Sequence, residues 1–182
     1  MAIVNKEILA NYLKYDQGFV QEAMDEIKLS NQIHDEKPVH DILADCPGSY
    51  KWGERDCLLM IDRLITAHTG HHTPYPLLHR YSEKEAFKKC IDIFGSIMNA
   101  HDIVIRACGL KRLDNLQSFS VVISCYGHIK NTTESKVDVD RNYKCIPLIC
   151  DDSFTLWGYD INHGFSQFSI DKSNITHIYG DK

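Results

Sequence analysis

The chain has 182 residues, a formal net charge of −5 and a pI near 6.0. A hydrophobic share of 43% beside a charged share of 25% is typical of a globular protein and argues against a disordered one. Acidic side chains outnumber basic ones and no Lys/Arg block is present, so the sequence gives no sign of a nucleic-acid-binding surface. No apolar run approaches the length of a membrane-spanning helix, and no secretory signal pattern opens the chain. We therefore expect a cytoplasmic protein with no membrane span and no nucleic-acid partner.

Seven cysteines are many for a chain of this length. Their number is odd, no two of them form a C-x-x-C pair, and Cys90 and Cys108 fall inside apolar periodic segments. This pattern predicts reduced, mostly buried thiols and disfavours a secreted disulfide framework.

The first part of the chain has the pattern of a helical arm. Between residues 5 and 29, apolar side chains recur at three- and four-residue spacing, with a break predicted near Gly18. The polar stretch that follows predicts a linker. We therefore divide the chain into an arm and linker, residues 1–38, and one domain, residues 39–182. The arm can pack on its own domain or on a neighbouring subunit, and packing on its own domain is the default expectation.

The middle of the chain, residues 39–113, has helical periodicity. The predicted helices are 57–69, 82–93 and 97–108. Gly70 is a normal helix stop, and Ser82 and Glu85 form a capping box that opens the second helix. Two prolines in the segment 71–76 predict a loop there.

The last third of the chain has the pattern of a β-sheet. Its segments are short, rich in β-branched and aromatic residues, and separated by Asp-Asp, Gly and Asp-Lys-Ser-Asn turns. The predicted strands are 118–126, 145–150, 154–157, 165–170 and 175–179, with a polar loop at 131–142. Helices followed by an antiparallel sheet predict an α+β fold.

The most informative segment is Trp52-Gly53-Glu54-Arg55-Asp56-Cys57, which leads directly into an apolar helix. Cys57 stands in the first turn of that helix, where free N–H groups and the positive end of the helix dipole stabilise a thiolate. A thiolate is the form in which cysteine acts as a nucleophile. Free cysteine is also among the most buried residue types, so core packing is the competing interpretation of Cys57.

The order of the elements is similar to that of papain-like enzymes and of their NlpC-like branch, which hydrolyses cell-wall peptides. More narrowly, the run Tyr50-Lys51-Trp52-Gly53-Glu54-Arg55-Asp56-Cys57, with Thr69-Gly70 and Tyr81 following, resembles an uncharacterised family of phages and prophages. Members of that family carry an aromatic-x-Trp-Gly-x-x-Asp-Cys signature and are often encoded beside tail genes. The resemblance covers about residues 42–182, and its specific part is the segment 52–70. It implies a papain-like (NlpC-like) core of N-terminal helices followed by a small antiparallel sheet.

The resemblance also implies a site made of a thiol, an imidazole base and an orienting group. In the NlpC-like pattern the histidine starts a strand, which His163 fits, and the orienting residue lies on the next strand, where His177 stands. His128 is a rival base at the end of the first strand. If the strands are counted from Phe119 instead, Cys145 occupies the base position and the catalytic histidine is missing. The sequence leaves both registers open.

Other candidate sites are weaker. The histidines at 68, 71 and 72 cluster at a helix end beside two prolines, which is more typical of a loop than of a metal site. Asp151 and Asp152 are expected to serve in a turn. No metal and no cofactor are therefore expected.

Two functional hypotheses follow from the resemblance. The favoured one is a structural or assembly component of a phage tail whose cysteine-peptidase site is degenerate. It would contact other tail proteins through the N-terminal helices, first in the host cytoplasm and then in the virion. The alternative is an active cysteine amidase or peptidase that cleaves peptidoglycan peptides with Cys57 as the nucleophile.

Overall fold

The computed structural model describes residues 38–125, 145–160, 162–170 and 175–181, together with Gly18, Gln21 and Lys172. Gly18 and Gln21 are both helical. Apart from Pro38, the rest of the predicted arm and linker lies outside the described residues, as do the loop 131–142 and His128. No helix in the described part of the chain is long and apolar enough to cross a membrane.

The described residues form helices followed by an antiparallel sheet, which confirms the predicted α+β class. The helices are α1 (Val39–Ala44), α2 (Cys57–Thr69), α3 (Tyr75–Leu78), α4 (Glu83–Phe94) and α5 (Ile97–Ala107). The strands are β1 (Lys111–Arg112), β2 (Val121–Cys125), β3 (Cys145–Cys150), β4 (Leu156–Asp160), β5 (Gly164–Phe168) and β6 (Ile175–Gly180).

The predicted helices agree with α2, α4 and α5 to within a residue. The capping box is present as predicted: Glu85 N donates to Ser82 Oγ, and Ser82 N donates to the Glu85 carboxylate. The prediction of a loop over 71–76 is wrong for its last two residues, which open α3. Pro76 is tolerated there because first-turn N–H groups have no intrahelical partner.

Two predicted strands begin later than the sequence pattern indicates. Phe119 and Phe154 have φ of 68° and 60°, a left-handed conformation in which a strand cannot extend. Strands β2 and β4 therefore begin only at Val121 and Leu156, two residues after each phenylalanine.

The sheet has the strand order β1-β6-β2-β3-β4-β5, and each neighbouring pair is antiparallel. At the centre, Ile123 of β2 lies opposite Pro147 of β3 on one side and His177 of β6 on the other. Strands β5 and β6 follow each other in sequence but are separated in the sheet by β2, β3 and β4.

The main core lies between the helices and one face of the sheet. Ile61, Leu64 and Ile65 of α2 are fully buried, and α2 packs mainly on β3. Burying each such side chain contributes about 1.5–3 kcal/mol. The opposite face of the sheet carries a smaller apolar cluster of Val122, Ile146, Leu148, Cys150 and Leu156.

One polar pair lies inside the main core. The hydroxyl of Tyr75 is 2.6 Å from Nδ1 of His101, and each residue is only 3% exposed. Burial raises the pKa of Tyr75 and lowers the pKa of His101 to about 4. The imidazole is therefore neutral at physiological pH and accepts the hydrogen bond from the tyrosine.

Because of this pair, the free energy of unfolding is expected to fall in mild acid. As pH falls from about 6.5 to about 4, the unfolded chain takes up the His101 proton before the folded chain does, so the folded state loses stability. The loss is on the order of 3 kcal/mol. We expect His101→Gln, which keeps an acceptor for Tyr75, to flatten this part of the pH profile of urea denaturation. An unchanged slope in His101→Gln would contradict the assignment.

The start of β5 is fixed by a close backbone approach. Gly164 has φ of 72°, and a Cβ at this position would lie 2.4 Å from the carbonyl oxygen of Gly48. The next residue, Phe165, donates its N–H to that same oxygen at 3.0 Å. The β4–β5 hairpin is therefore held against the segment that leads into Cys57.

Two glycine substitutions separate backbone strain from this close approach. Gly95 also has a positive φ of 80°, but a Cβ there meets only Asn99 at 3.8 Å. Gly95→Ala is expected to cost about 1 kcal/mol of unfolding free energy from strain alone. Gly164→Ala adds a backbone clash and should cost about 3 kcal/mol. If the two variants lose the same unfolding free energy in chemical denaturation, the close approach of Gly164 to Gly48 does not affect stability.

Candidate active site around Cys57

The site begins with the turn that precedes α2. Lys51 and Arg55 exchange both backbone hydrogen bonds, at 2.9 and 2.8 Å, and close the turn. Asp56 follows as the N-cap: its Oδ1 accepts the N–H groups of Leu58 and Leu59 at 2.9 and 3.0 Å. Its Oδ2 accepts the Gly53 N–H at 2.7 Å. One carboxylate therefore holds the turn and starts the helix.

The Asp56 carboxylate is fully buried and ionised. Burial alone would raise its pKa, but His79 and the N–H groups of Leu59 and Gly53 outweigh burial and lower it. Nε2 of His79 lies 3.0 Å from Asp56 Oδ2. A negative charge thus already occupies the positive end of the α2 dipole, where the sequence suggests stabilisation of a thiolate.

The Cys57 thiol is therefore not activated by its helix. Burial raises the pKa of Cys57, and the carboxylates of Asp56 and Glu83 raise it further. Backbone N–H groups at the start of α2 act in the opposite direction, but their effect is smaller. At neutral pH the side chain stays a protonated thiol, which is a poor nucleophile. This differs from the expectation that the helix N-terminus favours the thiolate, because the sequence alone does not weigh the charge of the cap.

The aromatic residues of the motif serve as packing anchors. Tyr50 donates its hydroxyl hydrogen to Glu83 Oε1 at 2.6 Å, and Trp52 donates its indole N–H to the carbonyl of Tyr81 at 2.9 Å. The Trp52 ring also meets the His79 imidazole edge-on, with centroids 4.9 Å apart. These contacts tie the turn before α2 to the start of α4.

His163, the predicted base, lies in the exposed β4–β5 turn. Its side chain is 63% exposed, and its Nδ1 lies 2.8 Å from Asp160 Oδ1. The same oxygen accepts the backbone N–H groups of Asn162 and His163 at 2.8 and 2.9 Å. Asp160 is therefore the residue that orients His163, and sequence reasoning missed it. An aspartate two and three residues before the N–H groups it binds is the signal of an Asx turn.

The structure brings the His163 turn near the Cys57 segment without joining the two side chains. Tyr159 donates its hydroxyl hydrogen to the carbonyl of Cys46, and Phe165 N donates to the carbonyl of Gly48. Within the described part of the chain, however, Cys57 Sγ forms no hydrogen bond to His163 or to any other imidazole.

His177 does not orient His163, and the predicted pair is wrong on topological grounds. His177 lies on β6, opposite Ile123, with three strands between it and β5. At about 4.8 Å a strand, the two histidines are roughly 19 Å apart across the sheet. His177 stacks on Tyr179 instead, and burial and the neighbouring Arg112 lower its pKa. The rival base His128 is outside the described residues.

Cys145 occupies the position that the second strand register assigns to the base. It starts β3, the strand after β2, and pairs with Cys125. Like Ile149 on the same strand, it packs on the main core, against which Cys57 also packs. The strand on which α2 mainly packs thus begins with a thiol where the NlpC-like pattern has a histidine.

The histidines near the end of α2 join separate elements. His68 Nδ1 lies 3.1 Å from Asp181 Oδ2, and His72 Nδ1 lies 3.3 Å from Asp62 Oδ2. Asp62 also accepts both the N–H and the hydroxyl of Thr73, at 2.6 and 2.7 Å. Among the described residues, no group of three or more His, Cys, Asp or Glu side chains has the geometry to hold a metal ion.

The cysteines with described side chains are free thiols. They are Cys46, Cys57, Cys90, Cys108, Cys145 and Cys150; Cys57 and Cys145 are partly buried and the other four are buried. This agrees with the prediction of reduced, mostly buried thiols.

No protein-family model, no curated protein and no solved structure matches this chain. Its function is therefore inferred from the site itself and from the motif.

The electrostatics of Cys57 predict slow alkylation. Iodoacetamide should modify Cys57 at pH 7.5 more slowly than free cysteine, as followed by mass spectrometry of the peptide that contains it. Glu83→Gln removes one of the carboxylates that raise the Cys57 pKa, and it keeps an acceptor for Tyr50. We expect this variant to react severalfold faster, since the thiolate fraction rises as the pKa falls.

Glu85→Gln is the matched control, because Glu85 lies in the same helical turn and bonds to Ser82. Its alkylation rate should equal that of the wild type. Wild-type alkylation faster than that of free cysteine would show an activated thiol.

Proposed function

We propose that the protein is a structural or assembly component of a phage tail, built on a papain-like (NlpC-like) fold whose cysteine-peptidase site no longer acts. The observation that carries the proposal is the surroundings of Cys57. Burial raises its pKa, the carboxylates of Asp56 and Glu83 raise it further, and no described imidazole is bonded to it. A nucleophilic thiol in such a fold needs the opposite arrangement, with a base at its sulfur.

The contacts of the motif support a structural role for its residues. Tyr50 and Trp52 anchor the turn to α4, Asp56 caps α2, and Gly70 closes the helix in a left-handed conformation. Each of these residues has a packing or hydrogen-bonding reason that needs no substrate. The motif therefore marks a fold, and a fold persists after a catalytic site decays.

The tail assignment comes from the resemblance of residues 50–57 to the phage and prophage family encoded beside tail genes. Under this proposal the partners are other tail proteins, with the N-terminal arm as one contact. The protein would be present in the host cytoplasm during assembly and in the tail of the finished virion.

A peptidoglycan assay separates this proposal from an active amidase. Purified protein and its Cys57→Ala variant are incubated with isolated sacculi, and released peptides are measured by mass spectrometry beside an active amidase. We expect no release by either form, because the thiol is protonated and lacks a base. Cys57→Ala should instead lower the unfolding free energy by about 1 kcal/mol through lost packing. Peptide release that disappears in both Cys57→Ala and His163→Ala would overturn the proposal in favour of catalysis.

A second measurement addresses the tail itself. Phage particles are produced from the genome that encodes the chain and purified on a density gradient. Their proteins are then identified by mass spectrometry. The chain should be recovered with the tail proteins in constant proportion. Its complete absence from particles and from tail-assembly intermediates would overturn the structural assignment.

A further inference from the structure

A groove lies between α1 and the turn that joins β3 to β4. Its volume is about 370 Å³, and its lining includes Val39, Leu43 and Ala44 on one side and the residues of the turn on the other. The rings of Trp157 and Phe165 both line it and stack on each other, with centroids 5.4 Å apart and planes inclined by 14°. An apolar side chain of a partner would find a flat aromatic surface there.

The turn beside the groove is held in place before any partner arrives. Asp151 Oδ1 accepts the N–H groups of Ser153 and Thr155, each at 2.8 Å, and Oδ2 accepts the indole N–H of Trp157 at 2.8 Å. The backbone of Asp151 also bonds to Thr155 and to Phe154, at 2.9 and 3.0 Å. A preformed surface loses little conformational entropy on binding.

Phe154 projects from this rigid turn into solvent. Phe154 is 60% exposed, and among the described residues no other large hydrophobic side chain is exposed. Its φ of 60° is a conformation that an aromatic residue rarely adopts and that costs of order 1 kcal/mol. Neither the exposure nor the strain is explained by folding, because a glycine or asparagine would fit the turn better. Strain of this kind collects at binding sites.

The charge around the groove is negative. Burial alone would raise the pKa of Asp151, but its bonds to Trp157, Thr155 and Ser153 lower it, so the group is ionised at neutral pH. Asp152 is exposed beside it and accepts a hydrogen bond from Ser118. His40 also lines the groove, with its Nε2 3.1 Å from Asp41 Oδ1, and neither lysine nor arginine does. An apolar surface with an acidic rim is complementary to an apolar side chain flanked by basic ones.

We propose that this groove binds a short segment of a partner protein in which an apolar side chain stands beside lysine or arginine. The apolar residue would pack on the stacked rings of Trp157 and Phe165 in the groove, Phe154 would contact the same segment from the turn beside the groove, and the basic residue would face Asp152. Within the chain's own residues 1–37, Leu13-Lys14 and Ile27-Lys28 have this pattern, but the segment carries seven acidic and four basic side chains, so a separate and more basic partner suits the acidic rim better. The inference rests on the groove alone and holds whether or not the chain belongs to a virion.

The test selects short random peptides from a displayed library on the full-length protein. The most enriched peptide is then synthesised with a fluorophore and titrated by anisotropy against the wild type and three variants. Phe154→Asn removes the exposed ring but suits the left-handed backbone, and Asp152→Lys reverses a rim charge. Asp114→Lys makes the same charge change at an exposed position, after β1, which is at the opposite end of the sheet from β5.

The proposal expects enriched peptides that combine an apolar residue with lysine or arginine. Phe154→Asn and Asp152→Lys should each weaken binding about tenfold or more, as for central contacts of an interface. Asp114→Lys should change it little, and added salt should weaken wild-type binding. Thermal unfolding checks that Phe154→Asn is at least as stable as the wild type.

Several results would overturn the proposal. They are the absence of any enriched peptide, enrichment of acidic or purely apolar peptides, and binding that survives both groove variants. An equal effect of Asp114→Lys would show attraction to the overall charge alone. Dimerisation of the wild type in light scattering, lost in Phe154→Asn, would assign the groove to a second copy of the chain.

Discussion

The buried carboxylate of Asp56 is the interaction on which the rest of the site depends. It satisfies the first N–H groups of α2 and the N–H of Gly53, and it lies against His79. A buried charge is stable only where such donors surround it, so the turn, the helix start and the α3–α4 connection are fixed together. The same charge lies beside Cys57, where it adds to burial in keeping the thiol protonated. Stability and nucleophilicity are therefore opposed at this position.

Local patterns in the sequence were sufficient for the three long helices α2, α4 and α5 and for the fold class. Capping residues such as Ser82 and Glu85 act within one turn, so their spacing identifies them directly. The starts of β2 and β4 were misplaced because Phe119 and Phe154 adopt positive φ, which nothing in a β-rich pattern signals. The positions of β5 and β6 in the sheet depend on strand pairing across the whole domain. The sequence order alone suggested that His163 and His177 were neighbours.

The candidate site was predictable in composition but not in electrostatics. Cys57 was identified from its place at a helix start, and the local spacing of Asp160 and His163 contains the signal of their pairing. The pKa of the thiol depends also on Glu83, which tertiary packing brings close through Tyr50. A contact between residues so far apart in sequence has no short-range pattern. Sequence reasoning therefore found the sulfur and missed the charges that control it.

The hydrogen bond from Phe165 N to the carbonyl of Gly48 has a further consequence for the outer edge of the sheet. Strand β5 is the last strand on that side, and a terminal strand exposes unpaired backbone groups to which other chains can add. Here the segment around Gly48 takes one of those donors, and the close approach at Gly164 leaves no room for an incoming strand. The start of β5 is thereby covered by the chain's own backbone, and an added strand could pair only with its later residues.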